Sequence, residues 1–297
     1  MAIFHQRNRL HRSLAPETGS LFGSTRETSP HRLALLRLAN IGCGATVHPA
    51  WDNYDLVPAV PGVRQIDLLR PLPFPVAHYD AIYCSHVLEH IPRQRVAGVL
   101  GEFRRALRDG GILRVVVPDL EVIAELYLRE LRAALGGDRS AEQRHEWMCM
   151  ELLDQLTRVF PGGFMGRLLA CRPLGSRQFV ESRIGQEGRT WLEAADQSPS
   201  IGPESVYLVS DTPEKDEARF RRSGEIHRWM YDQLSLGRLL SEAGFDQTRV
   251  CKPDESAIRG FSGFLLDTDE TGAVRKPDSL FMEATTSSDS AAVLTGG

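Results

Sequence analysis

The chain has 297 residues, 42% of them apolar and 25% charged, with a net charge of −4. That is an ordinary soluble composition, long enough for one large domain with an insertion, and it argues against a protein built to coat a phosphate backbone. Five scattered cysteines without a C-x-x-C exclude a disulfide framework or zinc ribbon, and no run approaches the roughly 18 apolar residues of a membrane span.

A reducing, cytoplasmic setting fits such thiols. Residues 1–33 are polar and Arg-rich and read as a flexible arm, with only a faint likeness to a transit peptide. Strands are expected at Leu35–Gly42, Trp51–Leu56, Val63–Leu68, Tyr79–Ser85 and Gly111–Asp119. Between the last two, Val96, Val99, Leu100, Phe103 and Leu107 fall on one helical face. Pro92 suits the start of that helix, and Gly110 and Gly111 suit its end. A β-α-β unit of this kind implies a parallel sheet with a right-handed crossover.

A second helix follows, with Leu120, Ile123, Ala124, Tyr127, Leu128, Leu131 and Leu135 on one face. Ser140 and Gln143 form a capping-box pattern for a third. Residues 161–225 carry no clear period. Asp232 is expected to cap a last helix with Leu236, Leu239 and Leu240 inward and Gly244 at its end. Strands at Thr248–Lys252 and Ser279–Ala284 flank a long connection, and residues 285–297 read as a disordered tail.

The stretch "NIGCGATVHPAWDNYD" holds Gly42 and Gly44 but lacks the third glycine of a dinucleotide fingerprint. Asp52 and Asp55 come only 8 and 11 residues after Gly44, which leaves no room for a full helix or the usual pyrophosphate site. Glycines that admit a ligand closely, followed by an early carboxylate, suit the ribose of a nucleoside. A tight turn that merely requires glycine would look the same.

In order, "NIGCG", "WDNYD", "IDLLRPLPF", "YDAIYCSHVLEHI", "LRDGGILRVVVPDLE" and "LLSEAGF" resemble the class I S-adenosylmethionine-dependent methyltransferases, of the small-molecule type. The resemblance covers Leu35 to about Asp119 and resumes at His227–Phe245 and "KPDSLFMEA". It implies a Rossmann-like α/β fold: a mostly parallel seven-stranded sheet, its last strand antiparallel, spanning residues 34–284 with a helical lid at 120–225. It also implies S-adenosyl-L-methionine as methyl donor. Gly42, Cys43 and Gly44 would wrap its amino-acid part, Asp55 its ribose, and Asp67 and Leu68 its adenine. Ser85 and His86 would face the methionine end and the acceptor. The short link to Asp55 leaves Asp52 as a rival ribose ligand, though the W-x-N-x-D match favours Asp55.

His86, Glu89 and His90 spell H-x-x-E-H, a zinc-peptidase pattern when it lies on a helix. Pro92 follows too closely for a continuous helix, so a zinc hydrolase using His86 and His90 is the lesser reading and no metal is expected. Glu89 and His90 are then expected to act locally. Methyl transfer from a sulfonium rests mainly on alignment, and an alcohol acceptor also needs a base. Candidates are His86, Asp119 and His227, with the pair Trp229 and Met230 expected to pack inward. The acceptor would be a small molecule or saccharide. Arg129, Arg158, Arg167, Arg172, Arg177 and Arg183 of the insertion could recognise an anionic one. A methyltransferase-like fold that only binds cofactor or a partner is the alternative.

Overall fold

The computed structural model describes residues 36–197, 199–208 and 214–287. The expected arm at 1–33, and residues 288–297 of the expected tail, lie outside these. Seven strands form one sheet in the order β3-β2-β1-β4-β5-β7-β6. They are β1 (Leu38–Ile41), β2 (Asp52–Asp55), β3 (Arg64–Gln65), β4 (Tyr79–Ser85), β5 (Leu107–Pro118), β6 (Arg249–Val250) and β7 (Ser279–Thr285). Strands β1 to β5 pair in parallel, while β7 runs antiparallel between β5 and β6. Order reverses beside β1, so the carboxyl ends of β1 and β4 flank a topological switch point, where open α/β sheets bind ligands.

Alternation along the strands sends side chains to two distinct cores. Ala39, Ile41, Ile82, Cys84, Leu113, Val115, Leu280 and Met282 face one side, against helix α1 (Arg93–Ala106) and the last helix. From α1 come Val96, Val99, Leu100 and Phe103, the face read from the sequence. Leu38, Ala81, Tyr83, Val116 and Phe281 face the other side, to which no α-helix among the described residues contributes. There the cover is Trp51 from the β1–β2 link and Cys251, Ile258, Phe261 and Leu266 from the long connection before β7.

Helix α1 stops at Ala106 rather than Arg108, because Leu107 already pairs with Tyr79. Gly110 (φ +70°) therefore lies within β5, where the β4–β5 register shifts, and does not end the helix. A side chain on Gly111 would come within 2.7 Å of the Arg108 carbonyl, which is why this bulge is glycine-rich.

The insertion opens with α2 (Leu120–Leu135) and α3 (Arg139–Cys149). Asp138, not Ser140, caps α3: its carboxylate accepts from the Ser140 and Ala141 amides. Asp is the stronger acceptor, and it immediately precedes the first helical residue, whereas Ser140 lies within the helix. The predicted apolar face of α2 is only partly used. Ile123 is buried, whereas Leu128 and Leu135 are exposed, 43% and 80% respectively. A π-helical stretch, Met150–Asp154, leads to the single turn α4 (Gln155–Thr157). Then come α5 (Gly163–Ala170), α6 (Arg177–Asp196), kinked at Gly185, and α7 (Glu214–Phe220). Trp147, Met148, Leu168, Leu169, Val180 and Leu192 give this region its own core. Helix α8 (Gln233–Glu242) carries the full capping box of Asp232 and Ser235.

Candidate active site

Five strands of the sheet deliver chemically active residues to one edge. After β1 the chain turns at Gly42 and Gly44 (φ +67° and +52°), with the Gly42 and Cys43 amides both donating to the Tyr54 carbonyl. A Cβ on Gly42 would lie 2.1 Å from Cγ2 of Val87, so only glycine lets the β1 turn close onto the β4 exit. A Cβ on Gly44 would meet nothing within 4 Å, so space opens beside that residue. Burial pushes the Cys43 thiol up to about 12, so it is neutral packing rather than a nucleophile.

Asp55 ends β2 and turns to this loop. Its Oδ2 accepts from the Gly44 amide at 2.8 Å and its Oδ1 from the Val57 amide at 2.9 Å. Each oxygen keeps a lone pair for a further donor. Asp52 is differently placed: it is ion-paired with Arg64 and accepts from the Tyr79 hydroxyl. Of the two acids, Asp55 alone is bonded to the glycine turn. The Ile66 amide donates to the Asp55 carbonyl, which sets Asp67 and Leu68 next along the edge. Asp67 accepts from the Leu69 amide at 2.9 Å, and Leu68 packs on the core. Ser85 closes β4 and is buried.

The H-x-x-E-H stretch holds one 3-10 turn, Leu88–His90, and no helix. His86 has φ +52°, which turns its ring away from helical register. Its Nε2 lies 2.8 Å from Ser279 Oγ, and its Nδ1 lies 3.3 Å from Glu89 Oε1. Burial first, then the charge of Lys276, holds this imidazole neutral. Glu89 has no exposed surface, and neither carboxylate oxygen receives a hydrogen bond. Burial raises its carboxyl to about 8. Glu89 is therefore not the local capping group expected of it.

His90 and His227 meet edge to face at 4.7 Å, although 137 positions separate them. Both are held neutral, chiefly by burial. The His227 amide donates to the Gln155 carbonyl, which fixes this segment against the insertion. Trp229 is exposed and lies 5.9 Å from the Arg93 guanidinium, contrary to the expected inward packing; Met230 is buried as expected. Asp119, after β5, caps α2 through Oδ1, which accepts from Glu121 and Val122. Burial raises its carboxyl above the ordinary range.

The six arginines proposed for anion recognition are each engaged within the chain. Arg158 pairs with Asp154 and Glu225, Arg183 with Glu151, Arg172 and Arg177 with Asp196, and Arg129 with Glu130. Arg167 donates to the Ser205, Val206 and Leu208 carbonyls. They hold the insertion together, because its helices leave carbonyls and acids that need donors.

Residues 41–115 match a family described as a methyltransferase domain, a span that takes in the glycine turn, Asp55, β4 and the β4 exit. With the strand order and the reversed β7, the chain has a Rossmann-like methyltransferase fold, and the methyltransferase-domain match is confined to residues 41–115. A search of curated proteins finds no match. Among solved structures it is similar to three S-adenosylmethionine-dependent methyltransferases. That of Methanosarcina mazei is 14% identical, with 85% of this chain and 92% of that one aligned and a TM-score of 0.38. That of Archaeoglobus fulgidus is 10% identical, with 84% and 86% aligned and a TM-score of 0.37. That of Thermotoga maritima is 13% identical, with 84% and 82% aligned and a TM-score of 0.35. Among the described residues no helix is long and apolar enough to cross a membrane.

Proposed function

We propose that this domain methylates a small, uncharged molecule or saccharide by in-line displacement at the edge described above. The observation that carries the cofactor side is the contact of Asp55 with the Gly44 amide beside open space. S-adenosyl-L-methionine supplies the electrophilic methyl group. Gly42, Cys43 and Gly44 line its amino-acid part, Asp55 accepts from its ribose hydroxyls, and Asp67 and Leu68 flank its base. Ser85 and His86 border the methyl group. Their main service is alignment and exclusion of water, since a sulfonium needs no further activation.

Of the three candidate bases, Asp119 fits best. His86 has both ring nitrogens close to partners, and His227 is buried. Asp119 uses one oxygen to cap α2, and its raised carboxyl is closer to the working pH of a base. An uncharged acceptor agrees with the engaged arginines of the insertion.

Calorimetry with S-adenosylhomocysteine tests the reading. Wild type should bind, and Asp55→Ala should weaken binding by about 10- to 100-fold, the loss of a charge-assisted pair of hydrogen bonds. Absence of binding to the folded wild type sinks the proposal, including the inactive-binder alternative. Asp119→Asn retains the cap, so a fall in turnover with unchanged S-adenosylhomocysteine affinity assigns the base. Full turnover in that variant removes Asp119 from the chemistry.

A further inference from the structure

The β4 exit contains a group that methyl transfer does not require. Glu89 is completely buried, and both carboxylate oxygens lack a hydrogen-bond donor. A buried charge without a partner is strongly unfavourable. Two imidazoles stand beside it: one ligand atom each from Glu89, His90 and His227 lies within 4.8 Å of the others.

We propose that Glu89, His90 and His227 form a binding site for a divalent transition-metal ion of the zinc class. Two imidazoles and a carboxylate are a donor set that such an ion prefers, and three protein ligands leave a position for an oxygen ligand. The surrounding contacts suit the same purpose. His90 Nδ1 lies 3.3 Å from the Ile226 carbonyl, which makes it the protonated nitrogen and leaves the Nε2 lone pair 3.9 Å from Glu89 Oε1. A backbone carbonyl on the far nitrogen is the usual support of a metal-binding histidine. The His227 segment is docked as well, since the Arg228 amide donates to the Glu89 carbonyl at 2.5 Å. His86 stands beside the cluster, its Nδ1 3.3 Å from Glu89 Oε1 and its Nε2 2.8 Å from Ser279 Oγ. A tetrahedral ion with bonds of about 2.1 Å sets its donors roughly 3.4 Å apart, so the cluster must contract by about 1 Å on binding. The site would tie the segment after the insertion to the β4 exit. It differs from the helical H-x-x-E-H arrangement, because His86 is not a ligand and His227 is.

Zinc content and zinc affinity of the full chain test this. ZnCl2 should bind at one equivalent per chain and survive dialysis. Glu89→Gln and His227→Gln should each weaken binding more than about 100-fold, beyond the loss typical of an outer partner. His145→Gln, whose ring lies by Cys149 and Tyr127, should bind like wild type. A wild-type measurement guards against variants that misfold: the Co2+-substituted chain should show a visible ligand-field band without a thiolate charge-transfer band. Three results overturn the proposal: folded wild type without stoichiometric zinc, binding unchanged in either ligand variant, or a thiolate band.

Discussion

The two faces of the central sheet are covered by different kinds of chain. One is packed by helices α1 and α8, through Val96, Val99, Leu100 and Phe103 and through Leu236, Leu239 and Leu240. The other is packed by coil, through Trp51, Ile258, Phe261 and Leu266. A helix satisfies its own backbone hydrogen bonds and needs only an apolar face to dock. Coil laid on a sheet has carbonyls to satisfy, so it needs donors from outside.

Arg114 of β5 is that donor. It is fully buried and bonds Asp267 at 2.7 Å and Glu283 at 2.9 Å. It also donates to the Glu255, Lys252 and Pro253 carbonyls and lies over the Phe261 and Phe281 rings. Tyr83 adds a bond to Asp267 from the same face. The coil face is thus organised around the Arg114 guanidinium, with Arg275 donating to the Leu265 and Thr268 carbonyls and Arg249 pairing with Glu283, and the helix face by summed apolar contact.

The largest expected effect breaks the coil face alone. Arg114→Met should cost about 4 kcal/mol, because the buried Asp267 carboxylate loses its guanidinium and three carbonyls lose their donor. Adding Asp267→Leu should recover little, since the three carbonyls stay unpaired. Urea midpoints of both variants would show it, and full recovery in the double variant would mean that the carbonyl contacts are incidental. On the helix face Leu100→Ala, at a fully buried site, should cost about 3 kcal/mol through cavity formation. Proteolysis would separate the two: Arg114→Met should be cut within residues 252–278 before global unfolding, and Leu100→Ala should not.

This contrast also explains what could be read from the sequence. Periodicity revealed β4, the α1 face and the capped α8, because each repeats within a short window. The glycine turn and Asp55 were legible because special backbone and an early acid stand close together. Arg114 gave no signal, since its partners are 138 to 169 residues away. The His90–His227 meeting was hidden for the same reason. The residues of α2 matched a helical stripe, yet Glu130 is buried and Leu135 exposed, because Glu130 pairs with Arg129 and Arg144 beside the apolar core of the insertion.

The coil ends in a half-buried acid that sharpens the contrast through pH. Burial, then the Glu151 charge, raises the Asp278 carboxyl from 3.8 to about 6, against the pull of Arg183. A raised folded value stabilises the fold fully below the unfolded value and is lost as pH climbs through the folded one. Asp278→Asn mimics the neutral form at every pH. Between about pH 4 and pH 7, wild type should therefore lose on the order of 2 kcal/mol relative to the variant. Parallel urea midpoints across that range would contradict the burial of an uncompensated acid here.

The smallest effect belongs to an aspartate of the helix face. Asp232 accepts from the Ser235 amide at 2.7 Å, while Ser235 Oγ accepts from the Asp232 amide at 3.1 Å. The carboxyl is held below its ordinary range, chiefly by that backbone bond. Asp232→Ala leaves amides at a helix start that water can reach, so the loss should be about 1 kcal/mol. Asp267→Ala, in the coil face, would strand a buried guanidinium nitrogen with no water to replace the carboxylate, and would leave the Tyr83 hydroxyl with the Leu266 carbonyl at 3.4 Å. It should cost on the order of 3 kcal/mol. The residue type and the deletion are the same, and only the cover differs. Equal losses in chemical denaturation would mean that the two faces are held by the same kind of force after all.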